Sequence, residues 1–179
     1  MKRWSACLVL AISAVLSVAV VAQTAPTRPP STVLQLMRSI FFTHGNVVFS
    51  AQTKDPEAIP RDVQSSLATN PLTGLYAGWQ AIENSSLALA DAVDLLNTPG
   101  RVCSNGRPAP VEATDWRAAV ESVRTASLAA AAAARAKSQD RIFEVSEQMT
   151  DACASCHRIY RARGNPCVDA RAQSPPSGN

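Results

Sequence analysis

The sequence predicts an all-α protein, and more specifically an antiparallel up-down-up-down four-helix bundle. Four stretches of the chain carry apolar residues three and four positions apart, which is the spacing of one helix face. None of these stretches has the alternation of apolar and polar residues that is typical of a half-buried strand. Four amphipathic helices in one chain of this length pack most simply as a bundle, in which short loops join antiparallel neighbours.

The first 22 residues have the features of a secretory signal peptide. Lys2 and Arg3 precede an apolar run at 7–21, and a small-residue cleavage site ends at Ala22. The run is too short and too close to the terminus to predict a membrane anchor. We therefore expect an exported protein in a bacterial periplasm, with residues 23–30 forming a polar, extended leader.

The charge composition does not predict a nucleic-acid partner. Loss of Lys2 and Arg3 with the signal peptide takes the basic count from 17 to 15, against 14 acidic residues. A net charge this close to neutral does not favour a polyanion. Removing 22 of 179 residues leaves 157, enough for one domain with a core. We place that domain at 31–167, followed by a flexible tail at 168–179.

Capping signals predict where the four helices begin and end. Helix 1 starts with a capping box, in which Thr32 caps the helix and Gln35 reaches back to the Thr32 amide. Helix 2 has Asn70 as its N-cap and stops at 98–100. A kink is expected in helix 1 at 44–46, where the sequence is His-Gly-Asn. The apolar face of helix 1 consists of Val33, Leu36, Met37, Ile40, Phe41 and Val48.

Helices 3 and 4 are separated by the boundary that the sequence marks least clearly. Helix 3 is expected from about Thr114 to Lys137, and helix 4 from Ser138 or Asp140 to the break at 164–166. No glycine lies between these two helices, so the usual helix stop is missing there.

Helix 4 contains the motif Cys153-Ala154-Ser155-Cys156-His157. Two cysteines three residues apart, followed directly by a histidine, form the pattern that attaches a c-type haem. Residues three and four apart share a helix face, so both thiols can reach one porphyrin edge and His157 can face the iron. A zinc site would need another Cys or His pair, and a thioredoxin-like pair would need a βαβ context. Both alternatives have less support than covalent haem.

A haem motif in the last of four helices resembles the cytochrome c′ family, with its methionine-ligated low-spin relatives. The family pattern is Cys-x-x-Cys-His-x-x-(Tyr or Phe)-(Arg or Lys), matched here by Cys153, Cys156, His157, Tyr160 and Arg161. Cytochromes c′ are themselves a standard example of up-down-up-down bundles, so this likeness and the bundle prediction are not independent. The resemblance implies one covalent haem c, held by Cys153 and Cys156, with His157 as proximal ligand.

The resemblance also suggests roles for residues around the haem. It implies that Tyr160 packs against the haem edge and that Arg161 lies beside the proximal histidine. Arg161 equally fits a cation at a helix C-terminus, which the helix dipole favours. Family members often carry an arginine four residues before the pocket residue of helix 1. This chain has Val33 there, so a propionate contact must come from elsewhere or be absent.

Met37 is the expected sixth ligand. Apart from Met1, the methionines are Met37 and Met149. Met149 precedes His157 by eight residues on one helix, about 12 Å along the axis, so we expect it in the core. Antiparallel packing brings the start of helix 1, and with it Met37, next to the end of helix 4. A purely packing role for Met37 stays open, because methionine fills gaps well.

Cys103 and Cys167 are expected to form a disulfide. They are the two cysteines that remain after the signal peptide and the haem motif are set aside, and disulfides survive in an oxidising compartment. In an up-down bundle the loop between helices 2 and 3 lies at the same end as the C-terminus of helix 4. Two free thiols are the alternative.

Electron transfer is the favoured function. A periplasmic cytochrome with one haem c and His157/Met37 ligation would exchange electrons with a redox partner protein and would not be an enzyme. The alternative is a five-coordinate cytochrome c′ that binds nitric oxide or carbon monoxide. A peroxidase has the least support, because His44 is the only candidate for a distal acid–base group. The resemblance leaves a homodimer through helices 1 and 2 open, because many members of that family form one. No membrane contact is expected after signal cleavage.

Overall fold

The computed structural model describes residues 28–58, residues 77–161 and Cys167. Within these ranges the chain is all-α, with four helices and no strand. Helix α1 has three consecutive parts, Val33–Leu36, Met37–Phe41 and Phe42–Ser50, and is followed by α2 (Trp79–Leu96), α3 (Thr114–Arg135) and α4 (Gln139–Tyr160). None of these four helices combines the length and apolar character needed to cross a bilayer.

Several predicted features lie outside the described residues. These are the signal peptide (1–22), most of the leader (23–30), the tail (168–179), the break at 164–166 and Asn70.

α1 begins where the sequence predicts. The Gln35 N–H donates to Thr32 Oγ1 (3.2 Å) and the Thr32 N–H donates to Gln35 Oε1 (2.8 Å), so the capping box is complete. The sequence His-Gly-Asn at 44–46, where a kink is expected, does not interrupt the helix, because all three residues are α-helical. Gly45 is buried there, and packing outweighs its low helix propensity.

The irregular part of α1 is Met37–Phe41, which is π-helical and is called the π segment below. The Phe42 N–H donates to the Met37 carbonyl, five residues back, instead of to a carbonyl four residues back. Within this segment, Ser39 Oγ donates to the Gln35 carbonyl (2.8 Å) and so competes with backbone N–H groups for that acceptor. The expected sixth ligand, Met37, is therefore the first residue of a widened turn.

α2 begins at Trp79, later than the sequence predicts. Gly78 has a φ of 62°, a left-handed conformation that glycine adopts at little cost but that does not continue an α-helix. A Cβ at Gly78 would lie 2.6 Å from the Pro56 carbonyl oxygen, so glycine also permits this close backbone approach. The prediction of one continuous helix from Asn70 is therefore wrong.

The junction between α3 and α4 is a Schellman motif without glycine. Lys137 takes the left-handed position with a φ of 49°. Its N–H donates to the Ala134 carbonyl (3.0 Å), and the Ser138 N–H donates to the Ala133 carbonyl (3.1 Å). Ser138 also caps α4, because its hydroxyl accepts from the Arg141 N–H. The predicted boundary between the helices is confirmed.

α4 ends at Tyr160, earlier than the expected break at 164–166. Arg161 follows with a φ of −113° and a ψ of 40°, which is outside the helical range, while its N–H still donates to the His157 carbonyl (3.1 Å). The motif 153–157 thus occupies the last two turns of α4.

The helices pack around two groups of buried side chains. α1 contacts α2 and α4, α2 contacts α3, and α3 contacts α4. One group is centred on Val48, Ile82, Ile142 and Met149. The other is called the second core below and includes Val33, Leu36, Val93, Trp116, Tyr160 and the cystine.

Two sets of contacts tie the helix ends together. The first set, called the Cys103 end, involves Ser31, Val33, residues 101–103, Asp115, Tyr160 and Cys167. The second set, called the Lys137 end, involves Ala51, Glu57, Glu83, Arg135, Lys137 and Gln139. The predicted disulfide is part of the Cys103 end, where the Cα atoms of Cys103 and Cys167 lie 5.7 Å apart.

Candidate functional site: a haem attachment motif on helix α4

Cys153, Cys156 and His157 lie on one face of α4. The helix is regular through Tyr160, so the spacing of three and four residues places the three side chains on one side. All three are partly buried. Cys153 and Cys156 are free thiols, whereas Cys103 and Cys167 are joined to each other. The described residues therefore contain one disulfide and one pair of free thiols.

Burial favours the protonated form of both thiols. It raises the pKa of Cys153, and it raises that of Cys156 to about 11, with smaller contributions from the negative charges of Cys153 and Asp115. Cysteines that exchange disulfides have a lowered pKa, because the thiolate is the reactive form. A thioredoxin-like function for the pair therefore has no electrostatic support.

The His157 imidazole is held towards its neutral form. Burial lowers its pKa, and the positive charge of Arg161 lowers it further. A neutral imidazole is the form that donates a lone pair to a metal. Helix position and charge therefore both suit His157 as an axial ligand.

Met37 lies at the same end of the molecule as His157. Its side chain is partly buried against the second core, and the Cys156 side chain packs against that core as well. Met37 is four residues after Val33, about 6 Å along the axis, and His157 is three residues before Tyr160, about 4.5 Å. Val33 bonds to the Val102 carbonyl, and Tyr160 bonds to Cys167, the disulfide partner of Cys103, so each candidate ligand lies about one turn from a residue tied to the same loop.

Tyr160 is a buried packing residue whose hydroxyl has a half-buried partner. Its ring meets the Trp116 ring edge-on, with centroids 5.0 Å apart, and its hydroxyl donates to Asp115 Oδ1 (2.6 Å). Trp116 Nε1 in turn donates to Asn97 Oδ1 (3.1 Å). Arg161, the other residue expected beside the haem, is exposed at the end of α4.

The remaining candidates are placed away from the motif. Met149 is 2% exposed and lies in the core, as the sequence predicts. His44 lies on α1 with its Nδ1 3.2 Å from Ser85 Oγ of α2, so its ring is engaged by a neighbouring helix.

A cleft of about 360 Å³ lies beside the middle of α4. It is lined by Ser146, Glu147, Thr150 and Asp151 of α4 and by Gln52, which follows the end of α1. Thr150 is one helical turn before Cys153. Ser146 is 1% exposed, and its hydroxyl has no hydrogen-bond partner among the described residues. None of the candidate residues Cys153, His157 and Met37 lines this cleft.

The residues present fit a covalently attached haem. They supply two thiols and an imidazole on one helix face, a thioether at the same end of the molecule and an apolar core beneath. Across residues 28–58, 77–161 and 167, no cluster of three or more His, Cys, Asp or Glu side chains could hold a metal ion by itself. A zinc site therefore has no support in the described part of the chain.

Sequence reasoning missed two polar residues close to this site. Asp115 accepts the Tyr160 hydroxyl, and Arg101 holds the start of α1 through Ser31. Asp115 carried a weak signal as an acidic residue in the first turn of α3. Arg101 carried none, since it lies in a loop.

Comparison with known proteins identifies no relative. No family model, no curated protein and no solved structure matches the chain. The likeness to cytochromes c′ therefore depends on the motif and on the residues around it.

Proposed function

We propose that this protein is a periplasmic mono-haem c-type cytochrome that transfers electrons to and from a partner protein. The observation that carries the proposal is the pair of free, partly buried thiols of Cys153 and Cys156 beside His157 on one helical face. Bound haem supplies the one-electron chemistry, while the chain supplies attachment, ligands and burial.

Within this proposal the helices form an antiparallel up-down-up-down bundle. Two features support it. The connection between α3 and α4 is only 136–138, and short loops join antiparallel neighbours. Contacts at the Cys103 end join the starts of α1 and α3 to the end of α4, and those at the Lys137 end join the opposite helix ends.

Each site residue has a stated task. Cys153 and Cys156 would hold a haem through thioether bonds, and His157 would bind its iron as a neutral imidazole. Met37 would supply a thioether sulfur as the second protein ligand, and its partial burial would limit access of water. Tyr160 fixes the last turn of α4 against α3 through Trp116 and Asp115.

Attachment is tested by extraction of the purified, exported protein. Haem should stay with the polypeptide after acid denaturation and treatment with organic solvent. In the variant with Cys153→Ala and Cys156→Ala it should become fully extractable. The variant Cys103→Ser with Cys167→Ser is the matched control, and it should keep its haem. Complete extraction from the unmodified protein would refute the proposal.

Ligation by Met37 is tested by spectroscopy of the ferrous protein. The unmodified protein should be low-spin and take up carbon monoxide slowly. Met37→Ala should be high-spin and bind the gas rapidly while its haem stays covalently attached. Met149→Ala is the matched control and should stay low-spin. An unmodified protein that is already high-spin and binds carbon monoxide at once would favour the gas-binding alternative instead.

A further inference from the structure

Three consecutive residues of the α2–α3 loop reach two different helices. Arg101 Nη1 donates to the Ser31 carbonyl (2.5 Å) and to Ser31 Oγ (2.9 Å), directly before α1. The Val102 carbonyl accepts from the Val33 N–H (2.9 Å), the first residue of α1. Cys103 is bonded to Cys167, whose N–H donates to the Tyr160 carbonyl at the end of α4. Residues 101–103 thus contact the start of α1 and are linked to the end of α4.

Arg101 is a buried cation held by oxygen acceptors. It is 4% exposed, and its Nε donates to the Leu95 carbonyl (2.5 Å) in the last turn of α2. Carbonyls at a helix C-terminus carry partial negative charge, which suits a guanidinium. The planar guanidinium lets one side chain bond Leu95 and Ser31 together, which a lysine ammonium could not reproduce in the same geometry.

The loop around these residues is braced by its own backbone. The Ala109 N–H donates to the Arg101 carbonyl (2.9 Å), and the Cys103 N–H donates to the Arg107 carbonyl (2.9 Å). The Gly106 N–H closes a turn onto the Cys103 carbonyl (3.0 Å), and Gly106 has the positive φ of 81° that glycine accepts readily. The segment can therefore hold a fixed shape between α1 and α4.

We propose that residues 101–103 are positioning residues that set the separation between Met37 and His157. The inference rests on the proposed function. Met37 is one turn from Val33, and His157 is one turn from Tyr160, so displacement of either anchor moves a ligand. At the Lys137 end, α1 and α4 are joined by Gln139, whose Nε2 donates to the Ala51 carbonyl (2.9 Å), far from both ligands along α1 and α4.

The test compares Arg101→Met with Gln139→Met in the full-length protein carrying haem. Both changes remove side-chain donors that tie α1 to another element, but at opposite ends of the molecule. Arg101→Met should speed carbon monoxide uptake by the ferrous protein on the order of tenfold, because charged hydrogen bonds that hold α1 are lost. Gln139→Met should change it less than about twofold, since Met37 keeps its anchor.

Amide hydrogen exchange gives a readout that does not depend on the haem ligands. Arg101→Met should speed exchange in the π segment and in the last turn of α4, and should leave residues 45–52 unchanged. A merely structural role would speed exchange throughout the helices. If Arg101→Met does not fold, carbon monoxide uptake and amide hydrogen exchange are measured instead on the unmodified protein with its disulfide reduced.

The outcomes separate this inference from the proposed function. Suppose that the unmodified protein takes up carbon monoxide slowly, and that Arg101→Met and the reduced protein are equally slow. This result would overturn the positioning role of residues 101–103 but not the proposed function. Immediate uptake by the unmodified protein would overturn Met37 ligation. In that case local exchange confined to the π segment and the end of α4 would still support the positioning role, and uniform exchange would overturn it.

Discussion

The Cys103 end and the Lys137 end join the same helices by different kinds of contact. The Cys103 end uses a disulfide, an arginine that is 4% exposed and the hydroxyl of the buried Tyr160. The Lys137 end uses the ion pairs Lys137–Glu57 and Arg135–Glu83, and the side chains of Lys137 and Glu57 are 61% and 62% exposed. Exposed pairs of this kind contribute only about 0–1 kcal/mol each, because water and salt screen them.

The strongest of these contacts lie next to the candidate haem ligands. Met37 and His157 each lie within about one helical turn of an anchor at the Cys103 end. Axial ligation requires two side chains from different helices to keep a fixed separation, so covalent and buried contacts are useful there. The Lys137 end carries no candidate ligand, and exposed contacts suffice for it.

The largest effect is expected from removing the disulfide. Cys103→Ser with Cys167→Ser opens a cross-link between residues 64 apart, which the chain-entropy model values at roughly 4 kcal/mol of unfolding free energy. The loss is measured by denaturant unfolding followed by far-UV circular dichroism without reductant. Reducing the unmodified protein should produce the same loss. A loss below about 1 kcal/mol would remove the main distinction between the two ends.

A smaller effect is expected from Tyr160→Phe. The ring and its contact with Trp116 stay, but Asp115 Oδ1 loses a buried donor, so the free energy of unfolding should fall by about 1–2 kcal/mol. Thr53→Val removes an exposed hydroxyl near the Lys137 end and serves as the control, with an expected change below about 0.5 kcal/mol. Equal effects of the two substitutions would contradict the comparison.

The smallest effect, and the only gain, is expected from Lys137→Gly. Glycine adopts the φ of 49° without a Cβ penalty, so the free energy of unfolding should rise by about 0.5–1 kcal/mol. The ion pair to Glu57 is lost as well, and Glu57→Gln measures that loss alone, with less than about 0.5 kcal/mol expected. A destabilised Lys137→Gly would mean that the exposed pair matters more than the comparison allows.

The fold could be predicted where local signals decide it. The capping box at Thr32 was predictable because it depends on two residues three apart, Thr32 and Gln35. The predicted start of α2 was wrong because Gly78 is left-handed and its backbone lies against the Pro56 carbonyl, a contact between residues distant in sequence. The π segment was not predicted, since a widened turn depends on packing rather than on composition.

The site was predictable in its motif but not in its supports. Cys153, Cys156 and His157 follow from spacing alone, and the structure places them on one partly buried helix face. The disulfide partner of Cys103 followed from cysteine number and topology. Arg101 could not be found in this way, because its acceptors include the backbone carbonyls of Ser31 and Leu95, which no sequence pattern marks.

The most direct test of the account is a count of titratable thiols in the denatured protein, which by the proposal has lost Cys7 with its signal peptide. With haem bonded to Cys153 and Cys156 and a cystine at Cys103 and Cys167, the unreduced chain should show no thiol, and the reduced chain should show two. The same chain produced without haem attachment should show two before reduction and four after it. Two thiols in the unreduced, exported protein, with four after reduction, would contradict covalent haem at this motif.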